Sequence, residues 1–254
     1  MERWLLLRGL TRAAWHWQEL PALLERRLGA EVVTLDLPGV GTERARRAPW
    51  HLGRTVDDLR ARWLALPPGG TWRVLGVSMG GMAALSWCAR HPADFAAAVV
   101  VNTSARNLGR PWERFAFGGL PRVASALAST DPAHRERTVL ALTVNDAARR
   151  DAALASFVEH ARRSPVARGT FLAQMVAAGL FNAPARVEVP VLVLASTHDR
   201  LVSVNCSRRL AARLGAPLHE HPTAGHDLAF DDSAWLVDQV ADWAPRAAGV
   251  KAAR

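Results

Sequence analysis

The sequence predicts an α/β fold: a mainly parallel sheet flanked by helices, with one wholly helical segment inserted in it. Three observations predict this. Short apolar runs recur along the first hundred residues and again near residue 190, each bounded by glycine, proline or polar residues, as buried strands are. Helix-like stretches separate these runs, and strands alternating with helices build parallel sheets. Between Asn107 and Pro184 the alternation stops and only helical patterns remain, which marks an insertion.

In chain order, residues 4–8 read as the first strand, stopped by Gly9, and residues 10–17 as an aromatic-rich loop. Residues 21–28 read as a helix, with Pro21 in its first turn and Gly29 just past its end. A second strand at 31–35 runs into the turn-rich loop Asp36-Leu37-Pro38-Gly39-Val40-Gly41. Thr55 and Asp58 have the spacing of a capping box, so the next helix is expected to open there and run to about Leu66, before Pro67-Pro68-Gly69-Gly70. Residues 74–77 read as a strand, 82–90 as a helix and 96–101 as another buried strand. The inserted stretch holds helical candidates at 123–128, 135–142, 147–161 and 170–178. The sheet resumes at 189–195 and ends with a short strand at 218–221. Asp231-Asp232-Ser233 caps a final helix to Trp243, ended by Pro245, with a loose tail to Arg254. The expected division is a core of residues 1–106 and 185–254 and a helical cap of residues 107–184.

Composition narrows the function classes. Half of the 254 residues are apolar, enough for a large core. The net charge is +9, almost all arginine, and Lys251 is the one lysine. The arginines are scattered in pairs such as Arg46-Arg47 and Arg162-Arg163 and form no long basic block, so no nucleic-acid partner is expected. No apolar run is long enough to span a bilayer, so no membrane partner is expected either. The first residues lack a signal-peptide pattern, and Cys88 and Cys206 make neither a disulfide framework nor a metal spacing. These features together predict a cytoplasmic protein.

The chemistry centres on Gly76-Val77-Ser78-Met79-Gly80, set between an apolar run and a helix-like run. A serine on a sharp strand-to-helix turn projects its hydroxyl from the sheet, and the helix after it aims free N–H groups at charge forming nearby. Such a serine needs a base, and the base needs an orienting acid, both in loops at the C-terminal ends of strands. Asp199, in the loop after the strand at 189–195, and His226, in Thr223-Ala224-Gly225-His226-Asp227 after the last strand, are the candidates. Asp227 and Asp36 are rival acids. The position after the 96–101 strand offers none, since it reads Asn102-Thr103-Ser104. His198, His219, His221 and His226 lack a zinc-type spacing, and no metal or cofactor is expected.

On these residues the chain resembles the α/β-hydrolase fold family over nearly its whole length. The serine turn, the loop 36–41, Asp199 after an apolar strand and Gly225-His226 match that family's motifs in order. The resemblance implies that Ser78 is the nucleophile, His226 the general base and acid, and Asp199 its orienter. It implies backbone oxyanion donors at Met79 and Leu10. Two departures stand out. Arg8-Gly9 replaces the family's usual His-Gly, and no antiparallel strand pair precedes the strand at 4–8. A six-stranded sheet with residues 31–35 as an open edge is therefore expected, and a homodimer would cover that edge.

The implied function is a serine hydrolase cleaving a small-molecule carboxylic ester through an acyl-enzyme. C–C bond hydrolase, thioesterase and cofactor-free haloperoxidase chemistry on the same triad are alternatives, as is a non-enzymatic ligand receptor. Trp15, Met82, Trp112, Phe115 and Phe171 are expected to line the substrate pocket. Phe117, Met175 and Phe181 are apolar candidates with packing as the competing role. The chain is also similar to pimeloyl-carrier methyl ester esterases, which brings in acyl carrier protein as a partner for the basic residues Arg114, Arg122, Arg149, Arg150 and Arg162.

Overall fold

The computed structural model describes residues 1–115 and 119–250. Its centre is a six-stranded sheet in the order β2-β1-β3-β4-β5-β6, every neighbouring pair parallel. The strands are β1 (Glu2–Leu7), β2 (Glu31–Thr34), β3 (Thr71–Val77), β4 (Ala98–Val101), β5 (Val191–Ser196) and β6 (Leu218–His221). The inner strands are apolar without alternation because both faces are covered. Leu5, Leu7, Val74, Val100 and Val193 point to one face, and Trp4, Leu6, Leu75, Val101 and Leu194 to the other. On the first face pack α2 (Leu52–Leu64), α3 (Met79–Arg90) and α9 (Val204–Leu214). On the second lie α1 (Leu20–Leu28) and α11 (Ser233–Val250), joined to the His226 loop by α10 (Leu228–Asp231). Edge strand β2 pairs with β1 alone and is half-buried throughout.

Among the described residues, five helices separate β4 from β5: α4 (Pro111–Arg114), α5 (Leu120–Ala128), α6 (Pro132–Thr143), α7 (Ala147–Arg163) and α8 (Arg168–Leu180). The chain leaves β1 for the edge, returns across it to β3, and so makes a switch point between the C-terminal ends of β1 and β3. Ligands bind at such points in open parallel sheets.

Several boundaries differ from the sequence reading. α2 opens at Leu52, capped by the His51 side chain, which accepts from Gly53 N–H at 3.1 Å. Thr55 is therefore a buried residue inside the helix and not its cap. α3 begins at Met79, directly after the serine. Residues 10–17 contain a 3-10 turn at Ala14–Trp17. α9 escapes the apolar pattern because arginines fill its outer face, while Cys206, Leu210 and Ala211 supply the buried stripe. α11 runs through Pro245 to Val250, since a proline costs a helix one hydrogen bond without obliging it to end. Asp232 does cap it, accepting from Trp235 N–H at 2.9 Å. Phe117 and the tail from 251 to 254 lie outside the described residues. Among the described residues no helix is long and apolar enough to cross a membrane.

Candidate active site

Ser78 is the single residue between β3 and α3, and it sits at φ 54°, ψ −116°. A non-glycine residue there is strained, and the tightness of the turn imposes it. A Cβ on Gly80 would lie 2.1 Å from Leu7 O, and one on Gly76 would lie 2.3 Å from Gly80 O. Glycines at both places let α3 start against the ends of β1 and β3. Met79 is the first residue of α3, so its N–H is one of those no helical carbonyl reaches.

His226 and Asp199 arrive from the loops after β6 and β5. His226 Nδ1–H donates to Asp199 Oδ2 at 2.7 Å, and the Asp199 side chain is 1% exposed. The other Asp199 oxygen accepts from Leu201 N–H at 2.7 Å and Val202 N–H at 2.9 Å, which fixes the carboxylate before it meets the imidazole. Burial pulls the His226 pKa down. The Asp199 charge and hydrogen bond, with Asp227 nearby, outweigh it and leave the pKa above its ordinary value. The two rival acids face elsewhere. Asp227 pairs bidentately with Arg8, at 3.0 and 2.5 Å, and Asp36 accepts from the backbone of Ala14 and Thr42. Arg8 is buried, with its guanidinium 4.6 Å over the Trp17 ring. The residue that departs from the family's His-Gly is thus tied to the His226 loop.

Three further residues brace these loops, and no local pattern in the sequence assigns them that role. Asn102, at φ 47°, directs its amide nitrogen at Ser196 Oγ, Gly225 O and His226 O at 3.0, 3.2 and 2.9 Å, and accepts from Ser196 N–H at 2.8 Å. It therefore joins the ends of β4 and β5 to the histidine loop. Asp231 accepts from the N–H groups of Gly225, Asn145 and Asp146, holding the corner between α6 and α7 against the same loop. Asn145 Nδ2 donates from that corner to His198 O and Thr223 O at 3.1 and 2.9 Å. His219 and His221 have partners on or beside α11, Gln239 and Asp232, which accounts for both as structural residues.

Ser78, Leu10, Met79 and His226 all line one cavity of about 610 Å³. Of the expected pocket residues, Trp15, Met82, Phe115 and Phe171 line it, as does Met175. Trp112 does not: it is 52% exposed on the short helix α4, beneath the Arg110 guanidinium. Phe181 belongs to the core cluster under the sheet. Arg12 and His16 also line the cavity, and the sequence reading named neither.

Residues 3–233 match the family described as serine aminopeptidase, S33. A pimeloyl-[acyl-carrier protein] methyl ester esterase from Chromobacterium violaceum is 28% identical over 198 residues, covering 76% of this chain and 75% of that protein. Among solved structures, the enol-lactonase of Burkholderia xenovorans LB400 superposes with a TM-score of 0.78 at 22% identity, covering 96% of this chain and 91% of that one. A hydrolase from Pseudomonas aeruginosa PA01 gives 0.75 at 21% identity, covering 96% and 89%. These structures share the fold.

Proposed function

We propose, from the premise that the chain belongs to the serine aminopeptidase S33 family of α/β-hydrolase-fold enzymes, that it cleaves a carboxylic ester through an acyl-enzyme on Ser78. The observation that carries the reading is His226, held by Asp199 at 2.7 Å on one side and lining the cavity of Ser78 on the other. With Nδ1–H given to Asp199, the Nε2 of neutral His226 is left as an acceptor for the serine proton. The Ser78 oxygen attacks the ester carbonyl carbon, and its proton passes to His226. The resulting oxyanion is met by the Met79 and Leu10 N–H groups, which need no reorganisation when it forms. Collapse breaks the C–O bond, and the leaving alkoxide takes the proton from His226. Water then loses a proton to the same nitrogen and attacks the acyl carbon; the acyl–oxygen bond to Ser78 breaks, the acid leaves, and the proton on His226 returns to the Ser78 oxygen. The helical segment 107–184 acts as the cap of this site, since α5, α6 and α8 contribute cavity residues Val123, Val139 and Phe171.

A panel of ester substrates with mass spectrometry of the quenched enzyme tests this. An acyl adduct on the peptide holding Ser78 is expected. Turnover of vinylogous diketones or peroxide-dependent halogenation without ester turnover would favour the alternative chemistries, and tight binding without turnover would favour a receptor.

A second reading, that the ester is presented on an acyl carrier protein, is supported by a charged cleft. Arg122, Arg137, Arg150 and Arg200 line a space of about 320 Å³ with Asp151 as the one acid among its lining residues. Arg150 and Arg200 both donate to Val144 O, at 3.1 and 2.9 Å. Two of the basic residues singled out from the sequence, Arg114 and Arg149, are otherwise engaged, by the carbonyls of Ala178 and Gly179 and by Glu19. An acidic carrier docking here makes kcat/KM for a carrier-bound ester fall several-fold from about 50 to 500 mM salt, while a small free ester stays flat. Salt-insensitive turnover of the carrier-bound ester removes this reading.

A further inference from the structure

The turn that presents Leu10 is built from residues that do not favour it. Arg12 N–H donates to Gly9 O at 3.2 Å, closing the turn around Leu10 and Thr11. Thr11 sits at φ 59°, where a β-branched side chain is strained. Left to itself, such a turn would relax to another backbone arrangement, and the direction of the Leu10 N–H would change with it. Three contacts hold it. Arg8 is fixed to Asp227 beside His226. Thr11 N–H donates to Gln174 Oε1 of α8 at 2.8 Å, across 163 residues of chain. Arg12 donates through one nitrogen to Glu136 Oε2 of α6 at 2.7 Å and to His16 Nε2 at 2.9 Å.

Gln174 is 2% exposed, so the bond it makes is protected from competing water. Its amide nitrogen donates in turn to Pro38 O at 3.4 Å, which sets which way the side chain faces. The Arg12 and Glu136 side chains are 9% and 12% exposed. Burial, then the charge of Arg12, hold the His16 pKa well below its ordinary value, and the ring sits between the Arg12 guanidinium, 2.9 Å from Nε2, and the Ala13 backbone, whose N and O lie 3.0 and 3.2 Å from Nδ1.

We infer that Gln174 is a positioning residue for the oxyanion donor, with the Arg12–Glu136 pair as its second limb. By pinning the peptide between Leu10 and Thr11, Gln174 restrains the Leu10 backbone torsions and, through them, the adjoining Gly9–Leu10 peptide that carries the Leu10 N–H. Two helices of the inserted segment, α6 and α8, thereby take part in oxyanion stabilisation through Glu136 and Gln174, apart from the pocket residues they contribute. The inference rests on the reading of Leu10 as a donor and of Ser78 as nucleophile.

The test replaces Gln174 by Met, which keeps length and removes the amide acceptor, and by Glu, which keeps an oxygen. Rates are divided by the number of active sites found from the burst of a p-nitrophenyl ester, so that loss of folded protein does not count. Affinity for a boronic acid that forms a tetrahedral adduct on Ser78 is measured beside them. Gln174→Met is expected to lower kcat per site about tenfold or more, with KM within about twofold, because small misplacements of a donor are costly. Boronate affinity falls by a similar factor, and Gln174→Glu recovers most of both. Glu136→Gln moves kcat in the same direction by less. A merely structural role reduces the number of sites and leaves kcat per site and boronate affinity alone, and that result overturns the inference. So does a loss confined to KM. Ser78→Ala run in parallel separates the two failures. An inert Ser78→Ala with an unchanged Gln174→Met sinks the positioning role alone, and an active Ser78→Ala sinks both.

Discussion

Ser78→Ala is expected to lower kcat for ester hydrolysis by about 10⁴-fold or more, because without the hydroxyl no acyl-enzyme can form and only oxyanion binding and substrate placement remain. The fold should tolerate the change well. Ser78 sits at φ 54°, an arrangement that costs alanine no more than serine. Circular dichroism and thermal melting should be close to those of the parent protein, so the loss can be assigned to chemistry. Residual turnover within about tenfold of the parent would show that Ser78 is not the nucleophile.

Asp199→Asn is expected to cost about 10³- to 10⁴-fold in kcat, since an amide in place of the carboxylate can hold the imidazole in the wrong tautomer and no longer stabilises its charged form. The pH profile gives an independent check. In the proposed mechanism His226 acts as a base when neutral, so activity is expected to fall as pH drops through its pKa. That pKa is raised above the ordinary 6.5, chiefly against burial by the Asp199 charge and hydrogen bond. The acid limb of kcat/KM for the parent enzyme therefore lies above pH 6.5. Removing the Asp199 charge leaves burial dominant, and the limb of the variant moves to lower pH. A limb that stays in place would mean that His226 is not the group that sets it.

The architecture was legible because a sheet covered on both faces writes its inner strands as unbroken apolar runs. The runs ending in Leu7, Val77 and Val101 needed no more than that. What stayed hidden has two physical causes. Some elements carry their signal on a minority of positions, as in α9, where four buried residues sit among arginines. Other contributions are made by side chains whose partners lie far along the chain. Asn102 meets Ser196 across 94 residues, and Gln174 meets Thr11 across 163, so no local pattern marks either. Trp112 illustrates the reverse: an aromatic residue in a helical stretch suggests a pocket wall, and only packing decides that it faces solvent. Asp199 is preferred to Asp227 from the loop that carries it, and in the structure Asp199 lies 2.7 Å from His226 Nδ1 while Asp227 meets Arg8.

The corner between α6 and α7 bears on how far this protein can be taken apart and reassembled. Thr143 O accepts from Asp227 N–H at 2.8 Å, Asn145 bonds to both the Asp199 and His226 loops, and Asp231 reaches back to the backbone of Asn145 and Asp146. Gln174 and Glu136 add ties to the Leu10 turn. Residues 107–184 are thus no interchangeable module. A chimera that grafts a relative's helices onto this sheet would discard the supports of the histidine loop and of the Leu10 turn together. It would inherit the donor's pocket without the geometry needed to use it, unless the grafted segment carried its own equivalents of Asn145 and Gln174.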